Sequence, residues 1–403
     1  MLAGYPFFWV IGMGALIWPL LALPMAGRLI MQRRTVRVPR GFGLWVLFLV
    51  WVALSLIQLQ GSAPFPFIWR LANYVSATTV FVYIYNTPRN RLPSQRVVAL
   101  LAGFWLITVA GGWLGVVQPY GQLTTITEKL LPENIRNLEF AHLLTHPIFA
   151  QVQDFLGYPL GRPTAPFLYT NDWGGVYALT IPFFILGWLQ STKRSRRTWA
   201  LLLLAVSIIP ALLSLNRGLW LSLLVALLFG ATRPGDVGRL ARRSLVAIVL
   251  VGVALIAFTP LKGVVEGRAE NQHSNEGRTF LYEQTIKETL KSPIIGYGGP
   301  RPYNGPRLIP DLGTQGQLWL VLYSQGFVGL VLFVGFLWKM LRATREGPLV
   351  TFWCHVTITI ALVQLFVYDM IPVQLHLILI AAALGIRETD PPPEILVEEQ
   401  LAA

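Results

Sequence analysis

TWALLLLAVSIIPALLSLNRGLWLSLLVALLFGA, residues 198–231, is the stretch on which the fold turns. Two apolar runs, 198–214 and 217–231, are separated only by Leu215-Asn216. A helix needs ~20 predominantly apolar residues to cross the hydrocarbon of a bilayer. Each run approaches that length, neither holds an acidic residue, and the break between them has room only for a tight turn. The stretch therefore reads as a helical hairpin inserted in a membrane, with Arg217 as its one cation.

The same pattern extends in both directions. Apolar spans are read at 5–25, 42–60, 67–86, 97–117, 172–190, 198–214, 217–231, 244–260, 316–338, 349–368 and 371–386, about eleven in all, or twelve if two are merged. The composition agrees: 54% of the 403 residues are hydrophobic and 13% charged, with a mean hydropathy of +0.56. A soluble domain carries roughly a quarter charged residues. The expected fold is all-α, a polytopic transmembrane helix bundle with a large, partly helical outer loop. The first span starts without a basic leader region and shows no small-residue cleavage site, so it reads as a span and not as a signal peptide.

The net charge of +13 does not point to nucleic acid, because the cations lie in short clusters between apolar runs. Those clusters are Arg28, Arg33, Arg34, Arg37 and Arg40; Arg89, Arg91 and Arg96; Lys193, Arg194, Arg196 and Arg197; Arg233, Arg239, Arg242 and Arg243; and Lys339, Arg342 and Arg345. Lysine and arginine are retained on the cytoplasmic side of a membrane. The N-terminus is then outside and the C-terminus inside. Residues 1–386 read as one transmembrane domain, and 387–403, with three consecutive prolines and several acids, as a disordered cytoplasmic tail. The single cysteine, Cys354, allows no intramolecular disulfide.

Two of the intervening loops are long, about 118–171 and about 261–315, and loops of that length are often functional. In 274–292, Tyr282, Ile286 and Leu290 recur every four residues beside Leu281, the pattern of an amphipathic helix. The stretch 123–156, broken by Pro132 and Pro147, reads as short helices. His142 and His146 share a helix face at i, i+4. A zinc site needs three or four ligands, and no cysteine or HExxH pattern supplies the rest, so no metal site is expected. His355 and His376 lie in spans and read as core or cavity residues. His273, in the outer loop, has the pKa range of a general base but also reads as an ordinary exposed loop residue.

Arg217 stands near membrane depth with no acid close in sequence. A guanidinium there either binds an anion, matching phosphate oxygens with its planar fork, or caps a helix end and snorkels to the interface. Arg278 opens the amphipathic helix, and Arg70 lies early in a span. Ser292-Pro293-Ile294-Ile295-Gly296-Tyr297-Gly298-Gly299-Pro300 lacks the GK[ST] ending of a P-loop, and there is no dinucleotide fingerprint.

Four ordered features resemble the O-antigen ligase and O-antigen polymerase superfamily of bacterial membrane glycosyltransferases. They are Arg162-Pro163-Thr164-Ala165-Pro166-Phe167 with Asn171 entering a span, Ser214-Leu215-Asn216-Arg217-Gly218 at a helix start, Gly277-Arg278 followed by a helix and Ser292 to Gly298, and Gly326-Phe327-Val328-Gly329 as a small turn. The resemblance covers roughly 160–340. It implies that Arg217 and Arg278 hold the diphosphate of a polyprenyl-diphosphate-linked glycan donor. The acceptor is then a hydroxyl of a glycan, lipid or protein, with membrane lipids around the site and no metal, nucleotide or other cofactor. The family's acceptor-side histidine falls at Gln315, which can hydrogen-bond a hydroxyl but cannot take its proton. His273, Glu276 or Asp311 would then serve, or positioning alone suffices. A transporter or flippase for a lipid-linked sugar would use the same basic cavity without chemistry, but the repeated halves common in transporters are not visible. A non-catalytic scaffold is the third reading, motivated by Gln315.

Overall fold

Backbone polar groups in hydrocarbon have no water to bond, so each apolar run satisfies them internally as a helix. The structure, a computed structural model, describes residues 1–32, 36–59, 64–154, 159–233, 235, 238–246, 273–305 and 310–390. The helices are α1 (Tyr5–Val10), α2 (Ile17–Met31), α3 (Phe42–Leu54, prolonged as a 3-10 turn Ser55–Gln58), α4 (Pro64–Asn86) and α5 (Ser94–Val117). Short α6 (Ile126–Leu130), α7 (Glu133–Arg136) and α8 (Glu139–Thr145) follow, then strands β1 (Ala150–Asp154) and β2 (Pro159–Pro163). Next come α9 (Thr170–Phe184, running on as a π turn Ile185–Leu189), α10 (Arg194–Leu213), α11 (Arg217–Ala231), α12 (His273–Thr289), α13 (Gln317–Ala343), α14 (Leu349–Gln364) and α15 (Val373–Thr389).

Helix α15 is the axis of the bundle. Every residue from Val373 to Arg387 is buried, and α4, α9 and α14 pack around it. Its polar groups are paired inside. His376 bonds Ser76 Oγ through Nε2 (2.7 Å) and Pro372 O through Nδ1 (2.6 Å), under the Trp18 ring. Arg387 donates to the carbonyls of Ile84 and Thr87 at the end of α4 and to Ser94 Oγ, a cation placed at a helix C-terminus where the dipole favours it. His355 bonds Thr344 Oγ1 (3.1 Å). Both span histidines are therefore core residues. Helix α10 is the opposite case: only 22% of its apolar window is covered by protein, a surface suited to lipid and not to water.

Among the described residues four helices are long and apolar enough to cross a membrane: α5, α9 with its π turn, α10 and α13. Four more, α2, α3 with its 3-10 turn, α11 and α14, are apolar but shorter. The expected count of about eleven is not reached by helix length. One reason is that apolar composition runs past helix ends. The 5–25 stretch is two helices, α1 and α2, broken at Ile11–Leu16, where Gly12 has φ +86°. Leu365 to Ile371 is a turn of apolar character between α14 and α15. The span read at 244–260 lies largely outside the described residues, as does 391–403, while α15 itself continues to Thr389.

Two local expectations are corrected. The 123–156 stretch is helical only as far as Thr145; Pro147 stops α8, and the alternating Ala150-Gln151-Val152-Gln153 forms β1, antiparallel to β2 with Ala150 opposite Pro163 and Asp154 opposite Pro159. An alternating run reads as a strand because its side chains fall on opposite faces. The small turn expected at Gly326 to Gly329 is a kink at Gly326 (φ +67°) joining two helical segments of α13, which continues to Ala343; a Cβ at Gly326 would lie 2.5 Å from Ile294 O, so the site suits glycine.

The basic loops converge at one end of the bundle. Arg37 meets Asn86, Arg89 meets Arg387 O, Arg233 meets Arg345 O, and Gly41 packs on Lys339. The other end carries α6–α8, the β hairpin and α12.

Candidate functional site

The tip of the α10–α11 hairpin is built around Asn216. Leu215 takes a left-handed φ of +49° to turn the chain. Asn216 then caps α11, its Oδ1 accepting from Leu219 N (3.3 Å) while its Nδ2 donates to Thr170 O (3.1 Å). The Tyr368 hydroxyl also donates to Asn216 Oδ1. Two glycines follow from this close packing. A Cβ on Gly218 would lie 2.5 Å from the Tyr368 hydroxyl, and one on Gly174 would lie 2.3 Å from Asn216 Nδ2. Arg217, exposed, is the first residue of α11. It therefore stands where the unpaired N–H groups and positive end of a helix favour an anion.

Two arginines face Tyr368, and Arg217 follows Asn216, which bonds the tyrosine hydroxyl. Arg162 and Arg278 both act electrostatically on its hydroxyl. The β hairpin aims Arg162: its Nη1 donates to Gln153 Oε1 across the strands (3.0 Å) and its Nε to Ser214 O at the hairpin tip (2.7 Å). Arg278 is carried in by α12. One turn on, Tyr282 stacks on Trp319 (4.2 Å, 13°) and its hydroxyl donates to Gln315 O (3.3 Å). Beneath it Leu281 is buried with Leu312 and Tyr323. Sequence reading named Arg162 only as part of a motif; its signal was an arginine held beside prolines just before a span at the loop end.

Beside this cluster opens a cavity of about 1240 Å³. Its walls include Arg70, Asp172, Gln315 and Asp369, with Phe140 and Leu144 from α8. Arg217 and Arg278 do not line it. Tyr368 and Asp369 are consecutive, so one turn faces the arginines with its tyrosine and the cavity with its aspartate. Gln315 reaches the cavity from a strained backbone, φ +71°, a conformation rare outside glycine and asparagine. The segment is stitched to the Tyr368 turn: Gln317 N donates to Tyr368 O (2.7 Å), Leu318 N to Leu365 O (2.9 Å), and Met370 N to Gln317 Oε1 (3.1 Å). Asp369 is an exposed residue on the cavity wall. Desolvation by the surrounding protein raises its carboxyl above the ordinary range, against bonds from Ile371 N and Met370 N and the nearby charge of Arg70. Asp172 accepts from Tyr169 N (3.1 Å) and acts electrostatically with Asp369.

The other sequence candidates separate. Asp311 is exposed on the cavity rim. His273 opens α12, but its side chain and that of Glu276 lie outside the described residues. His142 and His146 stack on each other (ring centroids 4.6 Å apart). The third donor that spacing does not supply to them comes from Glu128 on α6.

A family model described as O-antigen ligase matches residues 202–334, about a third of the chain. The matched segment holds the hairpin tip, Arg217, Arg278 and Gln315, and leaves Arg162 and Asp369 on its flanks. No curated protein matches the chain. Over residues 202–334, this membrane protein is similar to the O-antigen ligase family.

Proposed function

We propose that the chain is a membrane glycosyltransferase that moves a glycan from a polyprenyl-diphosphate carrier to an acceptor hydroxyl on the outer face of a bacterial cytoplasmic membrane. The observation that carries this reading is that Arg162 and Arg278 act on Tyr368, which bonds Asn216 beside Arg217 at the α11 N-terminus, one residue from a wall of a cavity of about 1240 Å³. In the proposed step the acceptor oxygen bonds to the anomeric carbon as the bond to the diphosphate oxygen breaks. The electron pair leaves on the polyprenyl diphosphate, and the arginines are placed to hold that charge before and after it develops. The lipid diphosphate is itself the activated donor.

The acceptor proton needs a base, and Gln315 has none to offer. Asp369 is the carboxylate best placed for it, in the same cavity wall as Gln315 and with its basicity increased by desolvation. A base works best with a pKa moved towards the working pH. Gln315 then orients the hydroxyl. The clustering of basic loops at one end supports an arrangement with that end cytoplasmic, the N-terminus outside and the C-terminus inside.

The test is transfer of a radiolabelled glycan from polyprenyl diphosphate to a membrane extract by the purified chain. Arg217→Ala and Arg278→Ala are each expected to lower the rate by roughly 10²–10³, the cost of removing one preorganised group from a developing anion. Full activity in both would sink the assignment. Passage of unaltered donor across proteoliposomes, with no product, would make the chain a transporter instead.

A further inference from the structure

We propose that Glu128, His142 and His146 form a binding site for a divalent cation of the zinc class that pins the wall of the cavity. Glu128 reaches the site because Thr125 caps α6, its hydroxyl accepting from Glu128 N (3.2 Å) and donating to Thr145 O (2.7 Å). This bridge sets the first turn of α6 against the end of α8. His142 and His146, one helical turn apart, then present both rings to one carboxylate. His146 Nδ1 lies 2.9 Å from Glu128 Oε2, and His142 Nε2 lies 3.7 Å from Glu128 Oε1. One ligand atom from each of the three residues lies within 4.8 Å of the others.

An ion pair alone does not account for the second histidine. Glu128 is 8% exposed and already bonded to His146. His142, free to turn towards solvent, instead stacks on His146 with its Nε2 on the same carboxylate. A cation among the three donors gives both rings and the carboxylate one common partner. Two imidazoles and one carboxylate suit zinc and its neighbours, whereas calcium and magnesium prefer oxygen. Zinc bonds of ~2.0–2.1 Å need these donors drawn closer together, and exposed His142 has the freedom to close.

The consequence lies in the fold. Helix α6 is tied to the N-terminal turn by Thr127 N to Ile11 O (3.1 Å). Helix α8 turns Phe140 and Leu144 into the cavity. A cation joining α6 to α8 holds that wall in place.

The full chain, purified in detergent without a polyhistidine tag and stripped with chelator, is titrated with zinc and then passed through a desalting column. One bound zinc per chain is expected, with the cobalt derivative showing the visible bands of a low-coordinate ion. Glu128→Gln, close in shape, and His146→Ala should each weaken binding by more than roughly tenfold, while His273→Ala should bind as the parent does. Zinc should raise the melting temperature of the parent and not that of Glu128→Gln. A parent chain that retains no zinc after desalting, or zinc retained equally by Glu128→Gln and the His142→Ala/His146→Ala double variant, overturns the proposal.

Discussion

Gly218 has no space for a side chain: a Cβ there would press on the Tyr368 hydroxyl at 2.5 Å. Gly277, next to Arg278, has nothing within 4 Å. The two glycines should therefore separate in experiment. Gly218→Ala is expected to destabilise by about 1–3 kcal/mol, as overpacking does, and to abolish transfer by displacing Tyr368 from Asn216. Gly277→Ala, in an exposed helical position, should leave both melting temperature and rate close to the parent's. Asp369 gives the second prediction at this scale. Its carboxyl titrates above the ordinary value of 3.8, so its protonated form persists to higher pH than that of a free aspartate. As the proton acceptor it works only when ionised. Transfer should then fall as pH is lowered through the raised value, and Asp369→Asn should be slow at every pH, without that acid limb. A parental pH profile in Asp369→Asn would move the base elsewhere, with Asp311 and His273 the next to test.

Helix α12 shows how an element delivers a residue. Arg278 is useful only if the helix is seated, and seating depends on Tyr282 over Trp319 and on Leu281 against Leu312 and Tyr323. The kink at Gly326 belongs to the same arrangement. It lets the Pro293–Gly296 segment approach α13, where Phe327 N donates to Pro293 O (2.8 Å) and Trp51 Nε1 bonds both Ile294 O and Gln325 O. Tyr282→Ala should leave Arg278 present but poorly held. The expected result is a rise in KM for the lipid-linked donor larger than the fall in kcat, read from initial rates. Tyr282→Phe, which keeps the stack, should restore most of the loss.

For the molecule as a whole, the meeting of basic loops at one end makes orientation testable. Cys354 is buried, so it offers a quiet background. In intact cells a membrane-impermeant maleimide should label Thr124→Cys, at the end carrying α6–α8, and should spare Ser195→Cys, at the basic start of α10, until the membrane is opened. The reverse pattern would invert the proposed topology and place the arginine cluster on the cytoplasmic side.

Membrane insertion, the hairpin at 198–231, the alternation of basic and non-basic loops, and Arg217 and Arg278 as notable cations were all legible in the residues. Hydropathy and charge are summed over neighbours in the chain, so they need no partner to be read. Helix ends were less legible, because apolar residues such as Leu16 and Leu365 continue into turns. What only the tertiary structure decided were the meetings of distant groups. Arg162 reaches Ser214 across 52 residues, Tyr368 reaches Asn216 across 152, and Glu128 reaches His146 across 18. Such pairings depend on which helices pack together and at what register. Packing is a property of the whole set of buried surfaces, and no local pattern of residue types carries it.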